Sequence, residues 1–383
     1  MEKIIKLALN KYAPIPYSLQ NRSSGTAAID IPVGMAALFH HYYLDTRGHA
    51  PPDPDPAHFE HLSFFCVDSH LRLKGDGIGT SLAFRISRSN DLGQAFCRWF
   101  LYTHLNITYF AHMHTLLDKP VTTFSGHRIE RIAKGDTPDY FCAETRTRVF
   151  LAEAKCRRES VSFKNAAFSS WRKQFERVVV KDGTGNLRSV KGHIVAVRLA
   201  AESDGARVQS KLFAEDPMSP GNIMLGEDSS LGDVIIMRHY AEITAKLSQP
   251  ILAAALAGDF TVPEEIQFPA FVWEFRFGPL AGKRFVGGIY AKERQNPDFV
   301  EAEGGYVIRT HPLRLDLPGA TYFGVEEGIF RTLTQVARAG HSAVADIRTL
   351  PDLPFIYSGV SVLRDGSVIG PADFFRAIGL VTY

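Results

Sequence analysis

Cysteine is scarce in this chain of 383 residues: only Cys66, Cys97, Cys142 and Cys156 occur, they are scattered, and no two form a C-x-x-C pair. A disulfide framework and a cysteine-based zinc site are thereby excluded, and reduced, buried thiols in a cytoplasmic protein are expected. Long apolar runs are missing too. No uninterrupted stretch approaches the ~20 residues needed to span a bilayer, so no membrane segment is expected. The opening residues Met1-Glu2-Lys3-Ile4-Ile5-Lys6 lack the apolar core and cleavage site of a secretory signal. Repeats, coiled-coil heptads and low-complexity tracts are absent as well. Neither sign of charge dominates, since 43 Lys and Arg face 41 Asp and Glu for a net +2. What remains is an ordinary globular composition, 45% hydrophobic and 22% charged, on a chain long enough for two or three lobes with ample core.

Several familiar motifs are incomplete. Gly278-Pro279-Leu280-Ala281-Gly282-Lys283-Arg284 has one residue too few between its glycines for a phosphate loop and ends in Arg instead of Ser or Thr, so a strand-connecting turn is expected. Gly75-Asp76-Gly77-Ile78-Gly79-Thr80 reads as a flexible turn or an anion-binding nest. His40, His41, His58, His61, His112 and His114 enrich the first half in histidine without a metal-ligand spacing.

The informative stretch is Gly135-Asp136-Thr137-Pro138-Asp139-Tyr140-Phe141-Cys142-Ala143, followed by Arg148-Val149-Phe150-Leu151-Ala152-Glu153-Ala154-Lys155. Both are β-branched and aromatic runs bounded by turn residues, which predicts two strands joined by a hairpin turn at Glu144-Thr145-Arg146-Thr147. Alternation along a strand puts Val149, Leu151, Glu153 and Lys155 on one face. A structural hairpin with an incidental surface pair is the alternative.

A basic segment comes next. Lys155, Arg157, Arg158, Lys164, Arg172, Lys173, Arg177, Lys181, Arg188, Lys191 and Arg198 face only Glu159, Glu176 and Asp182, a surplus of +8 that leaves −6 for the rest of the chain. That segregation predicts a phosphate-backbone footprint or a solvated helix face. Phe168, Trp171, Phe175 and Val178/Val179 recur at spacings of three and four, which predicts a helix over Ala166 to Val180. Ser89-Asn90-Asp91 reads as the start of another helix, running through the apolar stretch from Leu92 to Met113. Gly192 to Leu199 reads as a central strand buried on both faces.

The Pro-Asp before one strand and the Glu-Ala-Lys ending the next resemble the PD-(D/E)XK nuclease signature. The resemblance covers roughly residues 88 to 200 and is specific at Asp139, Glu153 and Lys155. It implies an α/β fold with a restriction-endonuclease-like core, a central mixed sheet flanked by helices; length, composition and pattern add N-terminal (1–87) and C-terminal α+β (201–383) lobes. It also implies a magnesium-dependent deoxyribonuclease in which Asp139 and Glu153 hold Mg²⁺, or Mn²⁺ as a substitute. The metal would activate water, and Lys155 would orient that water or stabilise charge on the phosphate. Gln174 matches the glutamine that the exonuclease-like branch places on the following helix, although Val178 stands where that branch often has tyrosine. On the preceding helix relatives commonly have glutamate where this chain has Gln94, which is neutral; Asp91, Glu130 or Asp136 are the acids available to substitute. Arg157, Arg158, Arg172, Lys173 and Arg177 are the expected nucleic-acid contacts, with DNA the expected partner ahead of RNA. Restriction, phage defence or repair would suit such an enzyme. The second expectation is a nuclease-fold binding or assembly protein without hydrolysis.

Beyond residue 200, Ala201-Glu202-Ser203-Asp204-Gly205-Ala206 and Pro217-Met218-Ser219-Pro220-Gly221 mark an expected boundary, and the prolines of Arg47 to Pro56 an expected loop. After the boundary come a helix near Leu231 to Ala257, strands at Ala270 to Phe277 and Arg284 to Ala291, a helix near Val325 to Ala339, and a hairpin turning at Asp365-Gly366. This lobe is α+β and its residues carry no chemical motif; selection of substrate or partner, or a homo-oligomer contact, is what such a lobe would serve.

Overall fold

A computed structural model describes residues 2–46, 64–118, 127–217, 230–258, 260–290, 299–302, 304–308, 320–353 and 359–383. The loop expected at Arg47 to Pro56, together with His58, His61 and Met218 to Gly221, lies outside them. The chain divides into a unit made of Glu2–Asp45 and Leu62–His239 and a second that contains Tyr240–Tyr383.

The first unit is built on strands whose apolar residues alternate or run continuously. β1 (Glu2–Asn10) alternates exposed and buried positions and pairs antiparallel with β2 (Asp30–Gly34). Helices α1 (Met35–Thr46) and α2 (Leu82–Leu105) follow, then β3 (Tyr109–His112), the single turn α3 (Met113–Leu116) and β4 (Arg128–Arg131). The predicted hairpin is β5 (Tyr140–Thr145) and β6 (Arg148–Arg157), with a register shift between Ala143 and Thr145 next to the turn. Next come α4 (Ala166–Phe175), β7 (Val178–Lys181), β8 (Leu187–Arg188), β9 (Gly192–Arg198), β10 (Lys211–Glu215) and α5 (Ser230–Lys246). Seven strands form one mixed sheet in the order β2-β1-β10-β9-β6-β5-β3, with β1–β10 and β6–β9 parallel and the other neighbours antiparallel. β6 and β9 lie inside it and are buried almost throughout, as continuous apolar runs require. The protein is a mixed α/β fold.

Four expectations change. The boundaries expected at 87/88 and 200/201 both fall inside the first unit, because β1, β2 and β10 pair into the same sheet as the hairpin. α2 begins at Leu82, not near Asn90: its first turns carry Leu82, Phe84 and Ile86 at every second position, a strand-like spacing, and leave them exposed, so no helical apolar stripe marks them. It ends at Leu105, where Asn106 adopts the left-handed conformation (φ 58°) that closes helices and releases the chain into β3. The helix expected as far as Val180 stops at Phe175, since Val178-Val179-Val180 pair with β4 (Ile129 opposite Val180) and β-branched side chains prefer that pleated setting.

The second unit holds the rest of the helix expected to Ala257, which is broken: Ser248 turns left-handed (φ 58°) and Pro250 starts α6 (Pro250–Ala257). Here β11 (Pro269–Phe275), β12 (Arg284–Tyr290), β13 (Phe299–Ala302), β14 (Gly305–Ile308), β15 (Thr321–Glu326), β16 (Ser361–Val362), β17 (Ser367–Pro371) and β18 (Phe375–Thr382) form an antiparallel sheet in the order β13-β14-β18-β11-β12-β15-β17-β16. Trp273, Phe275, Phe285, Tyr322 and Phe375 make its core, and α7 (Glu327–Ala339) is capped by the Glu326 carboxylate accepting from Ile329 N. The expected hairpin turn is present: Gly366 takes φ 81° and the Asp365 carboxylate accepts from Ser367 N at 2.8 Å. Among the described residues no helix is long and apolar enough to cross a membrane.

Candidate active site

The β5–β6 register decides the geometry. Tyr140 lies opposite Ala152 and Phe141 opposite Leu151, so one more residue places Asp139 opposite Glu153, and cross-strand partners share a face. The Asp139 carboxylate folds over the edge and accepts from Ala154 N at 2.8 Å. Lys155, two residues beyond Glu153, returns to the same face. Its Nζ sits 3.8 Å from Asp139 Oδ2 and in ion-pair contact with Glu153 Oε1. One ammonium therefore touches both carboxylates.

Burial differs sharply across the three. The Glu153 side chain is fully buried, whereas those of Asp139 and Lys155 keep 25% and 22% exposure. Burial pushes the Glu153 carboxyl well above its ordinary range and the neighbouring Asp139 charge adds to it, with the Lys155 ammonium opposing. For Lys155 burial acts downward, but the Glu153 and Asp139 charges outweigh it and its pKa is raised. Lys155 is therefore a cation at neutral pH. Apart from that ion pair, neither Glu153 oxygen receives a well-aligned donor among the described residues.

The two helices that sandwich these strands hold the arrangement. α2 crosses the opposite face: a Cβ on Gly93 would lie 2.9 Å from Cys156 N and 3.0 Å from Lys155 C, so only glycine lets the helix approach this closely. One turn on, the Cys97 thiol reaches the Glu153 carbonyl at 4.0 Å. α4 covers the carboxylate face. Gly192, in register with Leu151, lies under the Phe175 ring; Phe163 packs edge-on to Phe213; and Arg172 clamps Glu215 at 2.6 and 2.7 Å. Gln174 is buried in this helix at 3% exposure, not a surface glutamine, and its Oε1 has no donor among the described residues. The sequence marks Cys97 only as a buried thiol and Gly93 not at all, because glycine inside an apolar helical run has no distinguishing neighbour. The one available signal was that a mid-helix glycine costs about 1 kcal/mol against alanine and so marks a close approach.

Other expected site residues are elsewhere. Gln94 follows Gly93, half-buried, with no described contact to either carboxylate, and Asp91 is half-buried one turn earlier. Glu130 is on β4 in a separate three-stranded sheet and pairs with Lys181 at 2.5 Å. Asp136 is exposed, and its carbonyl accepts from Arg177 Nη1 at 2.8 Å. Arg177 also stacks on Gly135, so it braces the loop leading into Asp139.

The basic stripe is largely neutralised by ion pairs. Six of its eleven cations are in ion pairs: Lys155 with Glu153 and Asp139, Arg158 with Asp204, Arg172 with Glu215, Lys181 with Glu130, Arg188 with Asp182 and Lys191 with Asp216. All of those acids but Asp182 come from outside the segment, which a linear count cannot register. Arg158 also donates to the Asp76 carbonyl. Of the five predicted nucleic-acid contacts, Arg157 and Lys173 are exposed with no ion pair among the described residues, while Arg158, Arg172 and Arg177 serve the fold.

No protein-family model, curated protein or solved structure matches the chain. Among the described residues no group of three or more His, Cys, Asp or Glu side chains is placed to hold a metal. The donor set is thus two carboxylates with the buried Gln174 oxygen on the same side of the sheet. That is a hard-oxygen set of the kind Mg²⁺ accepts while keeping several waters, and the under-bonded buried oxygens of Glu153 and Gln174 fit a cation and its water shell.

Proposed function

We propose that this chain is a metal-dependent nuclease with a restriction-endonuclease-like core, hydrolysing phosphodiester bonds in DNA in preference to RNA. The observation that carries the reading is the Asp139–Glu153 pair, opposite one another on adjacent strands and bridged by the Lys155 ammonium. Asp139 and Glu153 would hold Mg²⁺ or Mn²⁺. When bound, the ion supplies Lewis acidity, lowering the pKa of water and neutralising phosphate charge. Lys155, kept protonated by its two carboxylates, acts as a fixed cation and hydrogen-bond donor toward the phosphate, not as a general base. Gln174 orients water by its amide. Asp139 and Lys155 form the solvent-facing side of the site, and exposed Arg157, two residues further along the same face, extends the positive surface for the nucleic-acid backbone. A cytoplasmic role in restriction, phage defence or repair accords with this activity.

A second reading has its own support. Gln94 supplies no third acid, Lys155 already compensates the two carboxylates, and most of the basic segment is neutralised internally. A nuclease-fold protein that binds nucleic acid or assembles with a partner without cutting would look like this. Incubation of the purified protein with linear DNA, circular DNA and RNA, with Mg²⁺, Mn²⁺ or chelator, separates the two. Metal-dependent cleavage that disappears in Asp139→Asn supports the nuclease, and binding without cleavage in every metal supports the alternative.

A further inference from the structure

Behind the candidate site, on the opposite face of the sheet, lies a buried polar cluster that the nuclease reading does not use. Asp45, near the end of α1, and Arg98, on α2, are each 1% exposed in their side chains. Three groups converge on one oxygen, Asp45 Oδ1: Arg98 Nη1 at 3.4 Å and the Tyr140 hydroxyl donate to it, and His112 Nε2 lies 3.3 Å away. The guanidinium of Arg98 also lies over the rings of Phe110 (4.7 Å) and Tyr140 (5.9 Å), and the His112 and Tyr140 rings sit 5.0 Å apart as cross-strand partners.

The connection to the site runs through the backbone. Tyr140 is the residue after Asp139. His112 is the residue before Met113, whose N–H donates to the Asp139 carbonyl at 2.8 Å. A single carboxylate oxygen therefore anchors both chain segments that bracket Asp139, one through a phenol and one through an imidazole. Arg98 adds the third tie, since its neighbour Cys97 touches the Glu153 carbonyl. A buried ion pair is a weak source of stability because desolvation offsets its attraction, so stability alone does not account for this cluster.

Resting on the nuclease reading above, we propose that Asp45, Arg98, His112 and Tyr140 are positioning residues that set the Asp139 carboxylate against Glu153 and Lys155 from the far face of the sheet. None of them touches substrate or metal. Their contribution is to hold the strand end rigid, in the way outer partners orient metal ligands elsewhere, where their loss typically lowers metal affinity or activity about 10–100-fold.

The test measures Mn²⁺ affinity by calorimetry, and kcat and KM for DNA cleavage, in wild type, Tyr140→Phe and Asp45→Asn. Tyr140→Phe deletes one hydroxyl and keeps the ring. The expected result is cooperative unfolding like wild type with a roughly 10-fold loss of Mn²⁺ affinity and of kcat, KM unchanged. Asp45→Asn, which keeps the acceptor oxygen but not the charge, should show the same pattern and serves if Tyr140→Phe does not fold. Unchanged Mn²⁺ affinity and kcat in a folded variant overturn the positioning role while leaving the nuclease intact. A wild-type protein that neither binds Mn²⁺ nor cuts overturns the nuclease reading itself, and this inference with it.

Discussion

Replacing Lys155 by Met removes a charge and keeps the stem, so its cost is set by the two carboxylates left behind. In wild type the ammonium is the cation touching both of them, and one is fully buried. Without it, a charged Glu153 would be a buried, unpaired ion beside Asp139, a state that costs about 3–5 kcal/mol. The alternative is protonation. Taking a carboxyl of unperturbed pKa near 4.3 to its neutral form costs about 1.4 kcal/mol per pH unit, or roughly 3.7 kcal/mol at pH 7 and about 1 kcal/mol at pH 5. The protein adopts the cheaper state, so Lys155→Met should lose up to about 3–4 kcal/mol at pH 7 and only about 1 at pH 5. The sign comes from linkage: a carboxyl raised above its unfolded pKa binds more protons in the folded state, so stability falls as pH climbs from about 4.3 toward the raised value. Denaturant unfolding of both proteins at pH 5, 6 and 7 measures this, and single-turnover cleavage at pH 6 should show a loss of about 10²–10³ for removal of a preorganised charge. A stability difference independent of pH would show that Glu153 is not the ionised partner of Lys155. Cleavage at the wild-type rate would remove Lys155 from the chemistry.

Mn²⁺ should raise the unfolding temperature in proportion to the logarithm of its concentration over Kd, and Asp139→Asn should abolish that shift in a thermal melt. Arg172→Ala should destabilise the protein by about 3–5 kcal/mol in denaturant unfolding, because the fully buried Glu215 loses its bidentate partner. By contrast, Lys173→Ala should leave stability nearly unchanged and lower the slope of log affinity against log salt by about 0.9 on double-stranded DNA, read from titrations at several salt concentrations. An unchanged slope would show that Lys173 makes no phosphate contact. His104 and His193 are held neutral by burial, with pKa values lowered to about 4 and about 3. Depressed values make their contribution complete above about pH 6.5 and progressively lost as pH falls toward 4. Unfolding free energies measured in a Glu153→Gln background, where the opposing carboxyl is absent, should therefore rise with pH across that window.

Local chemistry was legible without coordinates. The hairpin at 140–157, the shared face of Glu153 and Lys155, the buried run at 192–198 and the Asp365-Gly366 turn come from alternation and turn residues, which act over a few positions. Helix ends were not legible where a neighbour decided them or the local spacing misled: Val178 to Val180 became a strand because β4 offers a ladder, and the first turns of α2 carry Leu82, Phe84 and Ile86 at strand-like, exposed positions. The charge surplus between 155 and 198 was a true property of the chain with a misleading consequence, because Glu130, Asp204, Glu215 and Asp216 arrive from distant segments to neutralise it. Sequence alone determined which residues carry acid and base and which strand face presents Glu153 and Lys155. The hairpin also brings Asp139 to them, but only the tertiary structure decided that Gly93 lets a helix lie against Lys155 and that Asp45 anchors the strand end from behind. Those facts depend on register and packing between segments far apart in the chain, and no local pattern encodes such distances.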